Sequence, residues 1–254
     1  MKLLCVLAAL FCPAWFAAAA EFDHSHAALD RVLKQRVKGE RVDYAGLKAD
    51  PKDLDAWLKS ARALSEAEFK SWTEPQQLAF LINLYNAATL KLIIDHYPLK
   101  SIKDIGSIFK GPWKQEVVPL LGQTVTLDHL EHGVLRKDYN EPRLHFAIVC
   151  AAKGCPPLRA EAFVAGKLNE QLEEQGRIFL GAKDKNRFDA ASRTLHLSPI
   201  FKWFSEDFEA KSGSVTKFVL PYFSPDVQKQ IQDAKSVNVR YTDYDWSLND
   251  GSVR

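Results

Sequence analysis

The sequence predicts an α+β fold, a mostly helical single domain around a small, largely antiparallel sheet. Apolar residues recur at helical spacing over much of the chain. Short β-rich runs come in pairs separated by turn residues, as hairpins do. No repeat, low-complexity tract or Pro/Gly/Ser linker interrupts the 254 residues, so one domain is the simpler organisation. With 46% apolar and 26% charged residues the composition is that of a globular protein, and the length supplies a core that needs no disulfide for stability.

Residues 1–20 read as a secretory signal peptide: Lys2, an apolar run from Leu3 to Phe16, then small residues ending at Ala20. The run is too short to span a bilayer, which takes about 20 apolar residues. Cys12 follows Leu10 and Phe11 and lacks the small preceding residue that lipid attachment requires. The expectation is a periplasmic or secreted protein with no membrane association after cleavage, its globular domain running over 21–254. Losing Lys2 takes Lys and Arg from 34 to 33 against 32 Asp and Glu, a net charge of +1 that does not point to nucleic acid.

In chain order, apolar positions 28, 29, 32, 33 and 37 mark a helix within 24–37 that stops near Gly39. His24 and His26, on a fresh terminus, read as solvated rather than metal-bound. A second helix covers 53–63, and Ser65 with Glu68 forms a capping box for a third. The strongest helix is 74–97, with Pro75 in its first turn, Pro98 past its end and apolar residues on nearly all sides. Asn83 and Asn86 share one face of it. A buried unpaired amide costs about 1–3 kcal/mol, so these two either tie down a neighbouring backbone or point into a site. Residues 117–121 and 123–126 form a hairpin around Gly122, with Pro119 confining its strand to an edge.

Thr126 caps the next helix, whose core stripe is Leu127, Leu130, Val134 and Leu135. Glu131 falls inside that stripe, His132 at its edge, and Gly133 in mid-helix, where glycine costs about 1 kcal/mol against alanine. Either Glu131 is in a buried ion pair with Arg136 or Arg143, or the three neighbours mark a site. Residues 146–149 read as a short buried strand ending at Cys150, though four residues also fit a helical turn. On a strand, His145 and Cys150 are five apart and face opposite ways, which leaves His132 as the freer partner. Beyond them, 161–180 is an amphipathic helix and 187–189 with 195–197 a hairpin. Ser198-Pro199 opens an aromatic helix that places Trp203 and Phe204 in the core. Helices at 215–222 and 226–234 and a last strand at 237–241 complete the chain.

Cys150 and Cys155 are the only cysteines left after signal cleavage. In an exported protein two cysteines suggest a disulfide. C-x4-C lacks the C-x2-C spacing of zinc sites and of thioredoxin-like redox motifs, so no metal or cofactor is expected. Nucleophilic catalysis needs a thiolate, an imidazole, a group orienting it and amide donors for an oxyanion. Cys150, His132, Glu131 or an asparagine such as Asn83, and the turn after Cys150 supply that set.

The ordered motifs FLINLYNAATL, YPLKSI, LDHLEHGVLR, PRLHFAIVCAAKGCPPLR, LSPIFKWFSEDF and YDWSLN resemble the family catalogued as domain of unknown function 547, over about 74–249. The family carries no established reaction. The resemblance implies motif roles for Asn83, Asn86, Glu131, His132, Arg136 and Cys150. It implies that Cys155 is a feature of the bacterial form, so that a Cys150–Cys155 disulfide is not common to the family. It also implies a parts list like that of papain or transglutaminase folds, in permuted order, since His132 precedes Cys150.

The resulting expectation is a thiol-dependent hydrolase or acyl/peptidyl transferase. Cys150 is the nucleophile, His132 the base, and Glu131 or Asn83 the orienting group. Asn86, Arg136 and Arg143 are expected to bind a peptide-like or thiol-containing small substrate. The alternative is a non-catalytic binding module with a structural Cys150–Cys155 disulfide.

Overall fold

The computed structural model describes residues 21–252, so the signal-peptide reading of 1–20 lies outside the described residues. The helix Glu74–His96 is the axis on which the rest is laid. Sixteen of its residues from Leu78 to Ile94 are buried, Asn83 and Asn86 among them. Its apolar cylinder is wrapped from the amino-terminal side by the helices Ala27–Arg36, Tyr44–Ala49 and Lys52–Ala63, which bury Leu29, Leu33, Leu47, Leu54 and Trp57 in the same core. The Ser65 hydroxyl accepts from Glu68 N at 3.1 Å and starts the helix Glu66–Ser71, as the capping pattern predicts.

The expected α+β architecture is observed, with its strands in three small ladders. Val37–Lys38 pairs with Arg41–Val42, and Glu116–Leu120 with Gln123–Thr126, both antiparallel. The third ladder has Arg187–Asp189 antiparallel to Thr194–Leu197, which runs parallel to Asn238–Tyr241. The amphipathic helix begins later than the sequence suggests, at Leu168–Gly181, because Ala162 and Val164 are engaged by Asp30 and Gln171 side chains instead of a helical ladder.

A second apolar cluster, rich in phenylalanine, gathers Phe146, Phe179, Phe201, Phe208 and Phe218. Residues 144–149 bridge the two cores: Phe146 belongs to the second, whereas Leu144, Ala147, Ile148 and Val149 belong to the first. This stretch is not a strand. Leu144–Ala147 is one helical turn and the backbone becomes extended only at Ile148. The parity rule that turned His145 away from Cys150 therefore does not apply.

Candidate active site

Four elements bring the polar residues together. The first is the segment 129–135, a π-helix in which the wider turn re-aims side chains that an α-helix would stack. Thr126 Oγ1 accepts from His129 N at 3.0 Å and starts it. Glu131 is 7% exposed, and Tyr85 Oη on the central helix donates to its Oε2 at 3.0 Å. Neither Arg136 nor Arg143 pairs with it. At Gly133 a Cβ would stand 3.0 Å from the His129 ring, so any other residue would press on that side chain.

The second element is the cysteine turn. Asn86 holds its approach from both sides, donating to Ala147 O at 2.8 Å and accepting from Val149 N at 3.0 Å. Asn83 does the same for Phe163, at 2.8 and 3.0 Å. Both amides are spent on backbone, which corrects the expectation that Asn83 orients an imidazole and that Asn86 binds substrate. Past Cys150 the chain reverses at Ala151, whose φ of 59° is left-handed. Lys153 N and Gly154 N then donate to Ser247 O and Asp245 O at 2.9 and 2.8 Å. Gly154 lies so close to this carboxy-terminal segment that a Cβ would meet Asp245 N at 2.9 Å. The turn carries both thiols to one place: Cys150 Sγ is 2.9 Å from Cys155 Sγ and 3.1 Å from Tyr244 Oη, and Cys150 N donates to Cys155 Sγ at 3.0 Å.

The thiols ionise unequally. Burial disfavours a thiolate on Cys155, but hydrogen bonds from Cys150 and Tyr244, the Cys150 amide and nearby Lys185 outweigh it and lower its pKa. The hydrogen bond to Cys155, together with burial, raises that of Cys150. The two sulfurs, 2.9 Å apart, therefore titrate as one coupled pair across which a proton can be shared.

The third element is the aromatic helix. Asp207, in Ser205–Ser212, receives Arg136 Nε and Nη2 at 2.7 and 2.9 Å and His145 Nε2 at 2.7 Å. Burial works against its charge, yet these donors hold the carboxyl well below the usual carboxylate range. His145, 3% exposed, stacks on Phe204 with centroids 3.9 Å apart, and burial pushes its pKa down. The carboxylate accepts from Nε2, so the neutral ring has its lone pair on Nδ1, which makes no hydrogen bond among the described residues. For His132 the logic is reversed. Arg136 Nη1 lies 2.8 Å from its Nδ1 and can only donate, so a neutral His132 has its proton on Nε2, 3.8 Å from Asp128.

The carboxy-terminal segment is the fourth element. Tyr244 and Trp246 pack at 4.6 Å and meet Trp203 at 4.9 and 5.9 Å, with Trp113 closing the row at 5.7 Å from Trp246. These rings wall a cavity of about 650 Å³ that is also lined by Cys150, Cys155, Glu131, His132 and His145. Trp203 is 47% exposed, a wall residue and not the core residue the sequence suggests. Ile108 and Phe109 stand at the rim, almost fully exposed.

The structure therefore brings Cys150, His132 and Glu131 to one cavity, without a hydrogen bond between Cys150 and His132. It keeps the two arginines out of it. Arg136 is held by Asp207, and Arg143 by Glu141 at 2.6 and 2.8 Å with Asn169 at 2.9 Å, so neither is free to grip a substrate carboxylate. His145, Asp207 and Tyr244 are the additional site residues. No cluster of metal-ligating side chains is present among the described residues.

Residues 69–180 match the family described as "Protein of unknown function, DUF547". No curated protein and no solved structure matches the chain. The matched stretch includes the central helix, the π-helix and the cysteine turn, and ends before Asp207, Tyr244 and Trp246. The part of the fold that carries both thiols is thus the part of the chain that is similar to the DUF547 family.

Proposed function

We propose that the protein is an exported thiol-dependent acyl-transfer enzyme, a hydrolase or transferase, with Cys150 as nucleophile. The observation that carries this reading is the convergence of Cys150, His145, His132 and Glu131 on one aromatic-walled cavity. With both arginines engaged by carboxylates, the cavity favours an uncharged, apolar or aromatic acyl group, such as that of a small thioester.

Moving the shared proton onto Cys155 leaves a thiolate on Cys150 at the cavity wall. It attacks the acyl carbonyl carbon and expels the leaving thiolate, forming an acyl-enzyme. His145, oriented by Asp207, then takes a proton through Nδ1 from a water or acceptor nucleophile that attacks the new thioester, and Cys150 is released. His132 offers its Nε2 proton to a substrate oxygen.

The test is to incubate the reduced protein with acyl thioesters of increasing chain length and follow turnover, mapping adducts by mass spectrometry. The expected result is an acyl group on the peptide carrying Cys150, no turnover in Cys150→Ser, and accumulated adduct in His145→Gln. Turnover that survives in Cys150→Ser, or no adduct with any donor on fully reduced protein, would sink the reading.

A further inference from the structure

We propose that Cys150 and Cys155 form a reversible dithiol–disulfide couple that exchanges with low-molecular-weight disulfides entering the aromatic cavity. This goes beyond the acyl chemistry and does not depend on it.

Geometry comes first. The two sulfurs are already 2.9 Å apart, nearer than two non-bonded sulfurs normally rest, and closing a bond between them requires little backbone motion. The turn is prepared for this by contacts that do not involve the sulfurs. Asn86 clamps the residues before Cys150, Ala151 takes the left-handed bend, and Lys153, Gly154 and Asn249 join the turn to the carboxy-terminal segment. Backbone already pins this loop in the folded state, and because the cysteines are only five positions apart a permanent bridge would restrict the unfolded chain less than one that closes a long loop. A staple is poorly motivated here.

The surroundings favour reversibility. Cys155 Sγ accepts the Cys150 amide, and the Lys185 ammonium, held on Cys155 O at 3.2 Å, lies close by. Groups that stabilise a thiolate in the reduced form make that sulfur a better leaving group and its disulfide easier to open. The lowered pKa of Cys155 is consistent with this. Access differs between the two: Cys150 is partly exposed and Cys155 is buried. Cys150 is therefore the sulfur that meets an external disulfide, and Cys155 is the one that resolves the product.

The exchange balances without any other oxidant. With the shared proton on Cys155, the Cys150 thiolate attacks one sulfur of RSSR, forming Cys150–S–SR and releasing RS⁻. That thiolate takes the proton of Cys155. Cys155 then attacks Cys150 Sγ, forming the internal disulfide and expelling the second RS⁻, which is protonated from solvent. The protein loses two electrons, the external disulfide gains two, and a dithiol reductant runs the steps backwards. In the bridged state Cys150 cannot act as a nucleophile, so the couple also sets when the cavity is chemically competent.

The experiment uses the folded full chain in glutathione buffers of graded GSH to GSSG ratio, quenched with acid and alkylated. Lys153 lies between the cysteines, so trypsin leaves two peptides that stay joined only if the bridge is present. We expect the joined and doubly alkylated forms to interconvert along the series with the slope of a two-electron exchange. Cys155→Ser should stop at a glutathione mixed disulfide on Cys150. Cys150→Ser, which leaves only the buried thiol of this pair, should take up glutathione on the Cys155 peptide at least tenfold more slowly, and circular dichroism checks that both variants fold. Thiols that stay free throughout the series, a bridge that persists in excess GSH under native conditions, or equal glutathionylation of the two variants would each overturn the proposal. None of these readouts involves an acyl donor, so failure here leaves the acyl-transfer reading standing and failure there leaves this one.

Discussion

Asn86→Ala is the most informative single change in the central helix. Its side chain is 2% exposed and makes two hydrogen bonds, to Ala147 O at 2.8 Å and from Val149 N at 3.0 Å. Alanine leaves both backbone groups buried without partners, at about 1–3 kcal/mol each. A loss of ~3–5 kcal/mol is expected, a large share of the 5–15 kcal/mol that typically holds a domain together. Asn83→Ala removes an equivalent pair at Phe163, so its cost should agree to within about 1 kcal/mol. The two variants should differ at the thiols. Only the Asn86 clamp lies on the segment that delivers Cys150, so only Asn86→Ala should change the rate at which iodoacetamide alkylates the reduced protein below the unfolding transition. Urea denaturation and alkylation kinetics on both variants supply the comparison. A cost below about 1 kcal/mol for Asn86→Ala, or an equal change of alkylation rate in Asn83→Ala, would refute the clamp's role in positioning the thiol.

His26 is buried and its Nδ1 has no hydrogen-bond partner among the described residues, and desolvation, against the pull of Asp23, lowers its pKa from 6.5 to about 4. A folded-state value below the unfolded one means that stability is full above pH 6.5 and is lost as pH falls towards 4, by about 3 kcal/mol at 1.36 kcal/mol per pH unit. Urea midpoints between pH 7 and 4 should fall in the wild type and fall less in His26→Leu; a residual slope remains because burial lowers the pKa of His145 too. Asp207→Asn should slow release of the acyl group by 10²–10⁴-fold, read as accumulation of adduct on Cys150, because the amide no longer holds His145 with its proton on Nε2. Gly154→Ala should cost about 1–3 kcal/mol, since the added Cβ meets Asp245 N at 2.9 Å, and should reduce formation of the internal bridge in a GSSG series.

The long-range frame was legible from residues alone where the signal is repetitive. The 74–97 pattern found the central helix to within a residue, and the turn at Gly122 found its hairpin, because burial on all sides and a tight turn each leave a dense local imprint. At the site, the sequence pointed to Glu131 and His132 through their conflict with a helical stripe, and the conflict is resolved by a π-helix that no periodicity of 3.6 describes. His145 is not legible as a site residue because four apolar residues do not distinguish a strand from a helical turn, and the parity rule holds only for the strand. Asp207 carried no local signal: an acidic residue near the start of a short helix looks like dipole compensation, and its service to His145 and Arg136 exists only in three dimensions. In the sequence Arg136 and Arg143 are candidates for Glu131 or for a substrate carboxylate, and only the fold shows that Asp207 and Glu141 occupy them.

The segment 244–249 covers the thiol turn, supplies Tyr244 to Cys150 and Trp246 to the cavity wall, and lends its backbone to Ala151, Lys153 and Gly154. Synthesis runs from the amino end, so the cysteines leave the ribosome well before these residues exist. Until then the turn has no partner strand, the two sulfurs have no Tyr244 hydroxyl beside them, and the cavity has no far wall. Competence of the thiols thus arrives only with the last residues of the site. A nascent chain, or one truncated before Tyr244, carries Cys150 as an uncovered thiol, ready to make the wrong partner.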